Sequence, residues 1–245
     1  MSMAKVDEKA RRYLELVNER KECRECKDSA NPCRSLINPS ECASGAFDSD
    51  EIGPWTRWHG NLNAELMVVG QDWGDVGWFK REEGRPTNTS TTNTTLIELI
   101  GSAGFNIGLP RNTSGKGTLF FTNAVLCMKQ GGASDPVRDK WFRNCGTRFL
   151  RPLIELVQPK VVVCLGGKAY DAVLRAFDKK PRKLREATES TEPDQLPGSV
   201  SVFAVYHCGG LGLAQRNLAA QHRDWSRIRS YLSLYAESGL VPLSR

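Results

Sequence analysis

Four short apolar runs, rich in β-branched and aromatic residues, constrain this chain more than any other feature: Glu65–Gly70, Leu119–Cys127, Lys160–Leu165 and Ser199–Tyr206. Runs of this length and composition read as buried strands. Helical spacing fills the intervals. It is seen over Leu96–Ser102, over Val137–Val157, over Lys168–Phe177 and over about Ala214–Ala236. In the second of these, Trp141, Phe142, Phe149, Leu150, Leu153, Ile154 and Val157 recur with the period of one helix face. Strands alternating with helices predict a three-layer α/β/α sandwich on a short four-stranded parallel sheet. Such sheets bind ligands beyond the carboxyl ends of their strands. The polar groups that follow the runs, Gln71–Asp75, Asn123 and His207, should therefore converge on one edge.

Each group offers a defined chemistry beside a plainer reading. Asn123 carries both a donor and an acceptor, which suits the edge of a nucleobase; an Asn at a strand end is also an ordinary turn residue. Gly70 opens into Gln71, Asp72, Trp73, Gly74 and Asp75. Glycine permits close backbone approach to a ligand. Asp72 or Asp75 can orient water or stabilise a cationic sugar, or can merely satisfy loop amides. His207 precedes a Gly-rich turn, and a neutral imidazole there can donate to a departing base. The polar tract Gly84–Thr95 should cap the helix at Leu96, with Asn93 or Thr94 near the N-cap. Helix starts bind phosphate, though a tract of this kind is also a solvated loop.

The eight cysteines need a compartment before they can be read. No run is long and apolar enough to span a bilayer, and the first residues lack the apolar core of a signal peptide. The expectation is a cytoplasmic, monomeric chain of one domain over residues 1–245, its first 60 residues packed on the rest. In a reducing compartment, thiols serve as metal ligands or core residues rather than as disulfides. An amphipathic helix over Ala4–Lys21 runs into Cys23 and Cys26. This C-x2-C spacing lets two thiolates reach one metal from one turn, and such a pair also arises by chance. Cys127 is a further ligand or a core thiol, and Cys164 reads as core. Residues 27–60 form a long irregular connection that something must pin; a metal site at its start would do so. Trp55, Trp58 and His59 should pack beneath it, with lining a cleft as the alternative. Asp178–Pro197 reads as a charged surface insertion. The net charge of +6 is compatible with a polyanionic partner but mild.

These residues resemble the uracil-DNA glycosylase superfamily, most closely its branches carrying an iron–sulfur cluster, over roughly Ala4–Cys26 and Glu65–Asn217. The resemblance rests on Gly70-Gln71-Asp72-Trp73-Gly74, on Thr122-Asn123, on His207, and on the cysteines in order. It implies a hydrolase of DNA base-excision repair that cleaves the N-glycosidic bond of a flipped base, uracil by default. Another deaminated or modified base is the alternative, as is a non-catalytic, cluster-stabilised nucleic-acid-binding protein. By resemblance, Asp72 steadies an oxocarbenium-like sugar and orients water. Asn123 reads the base, and His207 stabilises the leaving anion. The implied substrate contacts are Gly70, Gln71, Trp73, Gly74, Phe79, Thr87, Asn88, Gly166 and Arg216. Cys23, Cys26, Cys127 and Cys145 would hold a structural [4Fe–4S] cluster, with zinc as the alternative and Cys33 or Cys42 as possible replacements. DNA is the implied partner, with no membrane.

The chain also departs from the family pattern. Trp73 and Gly74 stand where a Pro and a Tyr that excludes the thymine methyl are usual. Thr87 stands where a base-stacking Phe is usual, which points to Trp78 or Phe79 as replacements. Cys208 and Gly209 stand where Pro and Ser usually follow the last His.

Overall fold

The computed structural model describes residues 3–28, 35–112, 117–132 and 135–237; Cys33 lies outside them. In chain order the elements are α1 (Met3–Glu22), β1 (Leu36–Ile37), β2 (Leu66–Asp72), α2 (Val76–Arg81), α3 (Thr91–Ser102), β3 (Phe120–Val125) and β4 (Met128–Lys129). There follow α4 (Asp139–Cys145), a π turn (Gly146–Leu150), α5 (Arg151–Val157), β5 (Val161–Leu165), α6 (Gly167–Ala176), α7 (Leu184–Glu189), β6 (Asp194–Leu196), β7 (Val200–Val205), α8 (Gly210–Gln215) and α9 (Leu218–Glu237).

The sheet order is β3-β2-β5-β7-β6. The first four strands, those expected from the apolar runs, are parallel. Strand alternation divides the core into two faces. Met67, Val69, Val162, Cys164, Val202 and Ala204 pack with α1, α4, α5 and α6 on one side. Leu66, Val68, Phe121, Val161, Val163 and Val205 pack with α3 and α9 on the other. The result is the α/β/α sandwich.

Four details differ from the sequence reading, each for a local reason. A fifth strand, β6, pairs antiparallel with β7 inside the segment read as an insertion. It is held by Asp194, which accepts from Tyr170 Oη at 2.6 Å and Arg182 Nη2 at 2.8 Å. The long helix over Val137–Val157 widens into the π turn just before Pro152, which lacks the N–H that would bond four residues back. The helix at Leu96 begins earlier, at Thr91, so Asn93 and Thr94 lie within its first turn. The last helix is broken at Arg216, whose backbone is extended. Asn217 then caps α9, its Oδ1 accepting from the Ala220 amide at 2.9 Å.

Candidate active site and cysteine centre

The carboxyl edge of the sheet places three polar groups in sequence across neighbouring strands. In the β2–β3 register Gly70 pairs with Asn123 and Asp72 with Val125. A side chain at Gly70 could not be accommodated: a Cβ there would lie 2.7 Å from Asn123 Nδ2 and 2.9 Å from Trp55 Cζ3. The Asn123 amide and the Trp55 indole therefore close over bare backbone. On the next strand Gly166 has φ +87° and its amide donates to Val205 O at 2.8 Å. A Cβ at Gly166 would sit 3.7 Å from His207 Cβ. The strand ends thus bring Gly166 and His207 side by side.

The Asp72 carboxylate is held at both oxygens. Gln71 Nε2 donates to Oδ2 at 2.6 Å, and Lys129 Nζ lies 3.6 Å from Oδ1. His207 is exposed to solvent at the end of the sheet. The surrounding protein lowers its pKa, while the charge of Asp72 opposes that shift. Its Nδ1 accepts from the Gly209 amide at 3.0 Å. The neutral ring must then carry its proton on Nε2, the nitrogen left free to donate. The turn is tied to the start of α3, where Cys208 Sγ donates to Thr92 O at 3.4 Å. A fixed amide, an anion and an imidazole donor on one edge suit a reaction that develops positive charge at one end of a bond and negative charge at the other.

Cys23, Cys26, Cys127 and Cys145 line one small cavity, with Leu36, Asn38, Leu126 and Phe149 around them. Burial pushes the Cys145 thiol up to about 12 and Cys127 well above the usual thiol range. The other thiols of the set add repulsion at both. Four thiolates cannot share this cavity unless cations enter with them, which is the chemistry of a metal centre. Two donors already face the sulfurs: Asn144 Nδ2 at 3.5 Å from Cys26 Sγ and Arg148 Nη1 at 3.6 Å from Cys23 Sγ. Among the described residues no three His, Cys, Asp or Glu side chains gather tightly enough for one metal ion. Cys42 is buried apart from them, with Phe79 and Met128.

The family model of the uracil DNA glycosylase superfamily matches residues 58–229, most of the chain and all of the sheet. The chain belongs to this superfamily. It is similar to a type-4 uracil-DNA glycosylase of Archaeoglobus fulgidus, 29% identical over 149 residues, covering 60% of this chain and 67% of that protein. It is also similar to a type-5 uracil-DNA glycosylase of Pyrobaculum aerophilum, 26% identical over 230 residues, covering 90% of this chain and 93% of that one.

The remaining residues singled out for this superfamily member fall in different places. Trp73 packs between two core clusters, and its buried indole Nε1 has no hydrogen-bond partner among the described residues. Gly74 has φ +119°, and a Cβ there would meet nothing within 4 Å. Phe79 is 0% exposed and packs with Cys42 and Met128, so it has no free ring face to stack on a base. That expectation is corrected: the turn at Gly84 folds down onto the ring, leaving no room for a Cβ. Trp78 is half-buried with Arg81 stacked 4.5 Å from its ring centre. Asn88 is engaged by Asn112 at 3.1 Å and by the Arg111 amide at 2.7 Å. Thr87 lends its carbonyl to Asn93 Nδ2 at 2.8 Å. Arg216 forms a two-point pair with Asp224, at 2.5 and 2.7 Å, so its charge is committed within the protein. Trp55, which the sequence reading allowed to line a cleft, lies at this edge, and two further residues there escaped that reading: Lys129 and Leu211. The last is 86% exposed on the first turn of α8, four residues beyond His207.

Proposed function

We propose that the chain is a DNA glycosylase that hydrolyses the N-glycosidic bond of a base flipped out of DNA, with uracil the leading substrate. The observation that carries this reading is the alignment of Asn123, Asp72 and His207 along one sheet edge in a member of the superfamily. The edge of the extruded base is read by the Asn123 amide, which Gly70 and Trp55 hold in place. As the bond breaks, Asp72 faces the developing positive charge on the sugar and orients the water that replaces the base. His207 donates from Nε2 to the departing anion. Neither group needs to reorganise during the reaction, which is the source of the rate gain. Leu211 is the wedge that occupies the space vacated in the stack. The positive net charge supports DNA as partner, and affinity should fall as salt rises.

Cys23, Cys26, Cys127 and Cys145 would hold a [4Fe–4S] cluster, which supplies a structural cross-link. Four thiolates are the ligand set of such a cluster, and zinc on the same four thiolates is the alternative. A second substrate reading is favoured by Gly74: the open volume there, where a methyl-excluding Tyr is usual, admits a base larger than uracil.

A nicking assay on oligonucleotides carrying uracil, hypoxanthine, xanthine or a 5-substituted uracil tests both readings. Uracil is the expected substrate, and cleavage of the others without it would transfer the assignment to them. Asp72→Asn and Asn123→Ala should each lower the single-turnover rate by about 100-fold or more. Wild-type rates in both variants would remove the roles given to them.

A further inference from the structure

We propose that Lys129 is a positioning residue for the Asp72 carboxylate, a role that rests on the reading of Asp72 given above. Lys129 ends the short strand β4, four residues after β3. Its side chain is 5% exposed and that of Asp72 is 7% exposed, with Nζ 3.6 Å from Oδ1. The ammonium is aimed by three constraints. Nζ donates to Asp135 O at 3.1 Å. The Lys129 amide donates to Gly74 O at 3.0 Å, two residues beyond the carboxylate. Strand β4, which carries Lys129, pairs antiparallel with β1. The lysine thus braces the end of β2 and the loop that follows Asp72 from side chain and backbone together.

Gln71 restrains the other oxygen, Oδ2, from the preceding residue. Without Lys129 the carboxylate would keep the Gln71 contact and lose the ammonium beside Oδ1, leaving it free to turn about its own Cα–Cβ bond. A misplacement of about 1 Å at a reacting group can cost about 100-fold in rate. Lys129 is also buried too deeply beside Asp72 to serve as a phosphate contact, which would need an exposed ammonium.

The test compares wild type, Lys129→Met, Lys129→Arg, Asp72→Asn and the double variant Asp72→Asn/Lys129→Met, all with bound metal measured and thermal melts recorded. Lys129→Met should lower kcat by about 10- to 100-fold with KM changed less than about twofold. Lys129→Arg should recover most of the loss. In the Asp72→Asn background the same lysine change should cost nothing further, because the group it acts through is gone. A rise in KM, or an undiminished loss in the Asp72→Asn background, would mean that Lys129 acts on the DNA, and the proposal falls. Should Lys129→Met not fold, Lys129→Gln takes its place in the cycle. A crystal structure of the variant supplies a readout independent of activity: the Asp72 carboxylate should leave its place beside Gln71 while the β2 backbone stays. An unmoved carboxylate overturns the proposal. If the wild type excises no base in the panel, the glycosylase reading fails, and the position of the carboxylate in the variant still decides the role of Lys129.

Discussion

His59 is only 2% exposed, its ring 4.8 Å from that of Phe121 and 5.8 Å from that of Trp58, and neither ring nitrogen has a hydrogen-bond partner among the described residues. Burial lowers its pKa from 6.5 to about 4. Above pH 6.5 the ring is neutral in both folded and unfolded chains and adds no pH dependence. As the pH falls below 6.5 the unfolded chain binds a proton that the folded chain refuses. Stability then drops until about pH 4, by ~3 kcal/mol for a shift of this size, and levels off. Urea unfolding of wild type and His59→Phe at a series of pH values should give a difference that grows over this window; a constant difference would exclude it. The same region shows what residue-level reading achieves. Trp55, Trp58 and His59 were expected to pack beneath the long loop, and all three are buried. That Trp55 also closes against Asn123 depends on the β2–β3 register, which no local pattern encodes. Leu211 was missed for a related reason: in sequence it is one apolar residue in a Gly-rich turn, and only its exposure marks it. Leu211→Ala should lower excision from duplex by about 10-fold while sparing single-stranded substrate, which needs no wedge. Equal losses on both would assign Leu211 a structural role.

Among the elements, the four parallel strands were legible because each is built mostly of apolar β-formers and is buried on both faces over most of its length. Strand β6 and helix α7 were not, because they depend on polar contacts from distant segments. Arg182 and Tyr170 bind Asp194, and Arg227 donates to Thr188 O. The connection between α1 and β2 teaches the same lesson. A pin was expected at its start, and the cysteines lie there. A second pin is Arg20 on α1, 1% exposed. Its guanidinium bonds both oxygens of Asp48 at 2.8 Å, the Glu51 carbonyl at 2.8 Å and the Ser49 carbonyl at 3.1 Å. In sequence Arg20 is one more charge near a helix end. Replacing it by Met leaves the Asp48 carboxylate buried without its partner, which typically costs about 3–5 kcal/mol. Arg20→Met should therefore lower the unfolding midpoint in denaturant, and limited proteolysis should cut first within residues 38–52. A variant as stable and as resistant as wild type would mean that the cysteines alone hold this loop.

At the scale of the whole molecule, the four cysteines join parts of the chain that are far apart in sequence. Cys23 and Cys26 follow α1; Cys127 and Cys145 flank the path from β3 to α4, about 100 residues on. Leu36 N bonds Cys26 O at 3.0 Å, and β1 then pairs with β4 directly after Cys127. Filling the cavity would thus close a loop of about 100 residues, and in the chain-entropy picture a cross-link of that span contributes about 4–5 kcal/mol. Purified protein should therefore be brown, with iron by elemental analysis and visible absorption from thiolate-to-iron charge transfer. Oxidation with a chelator should bleach it and lower Tm by roughly 10 °C, given about 2–4 °C per kcal/mol for a chain of this size. Cys23→Ser/Cys26→Ser should reproduce that loss. Colourless protein containing zinc, with the same loss on chelation, would retain the cross-link and replace the cluster. An unchanged Tm after complete removal of metal would break the link between the four thiols and the fold, because a cross-link that closes so long a loop cannot be lost without cost.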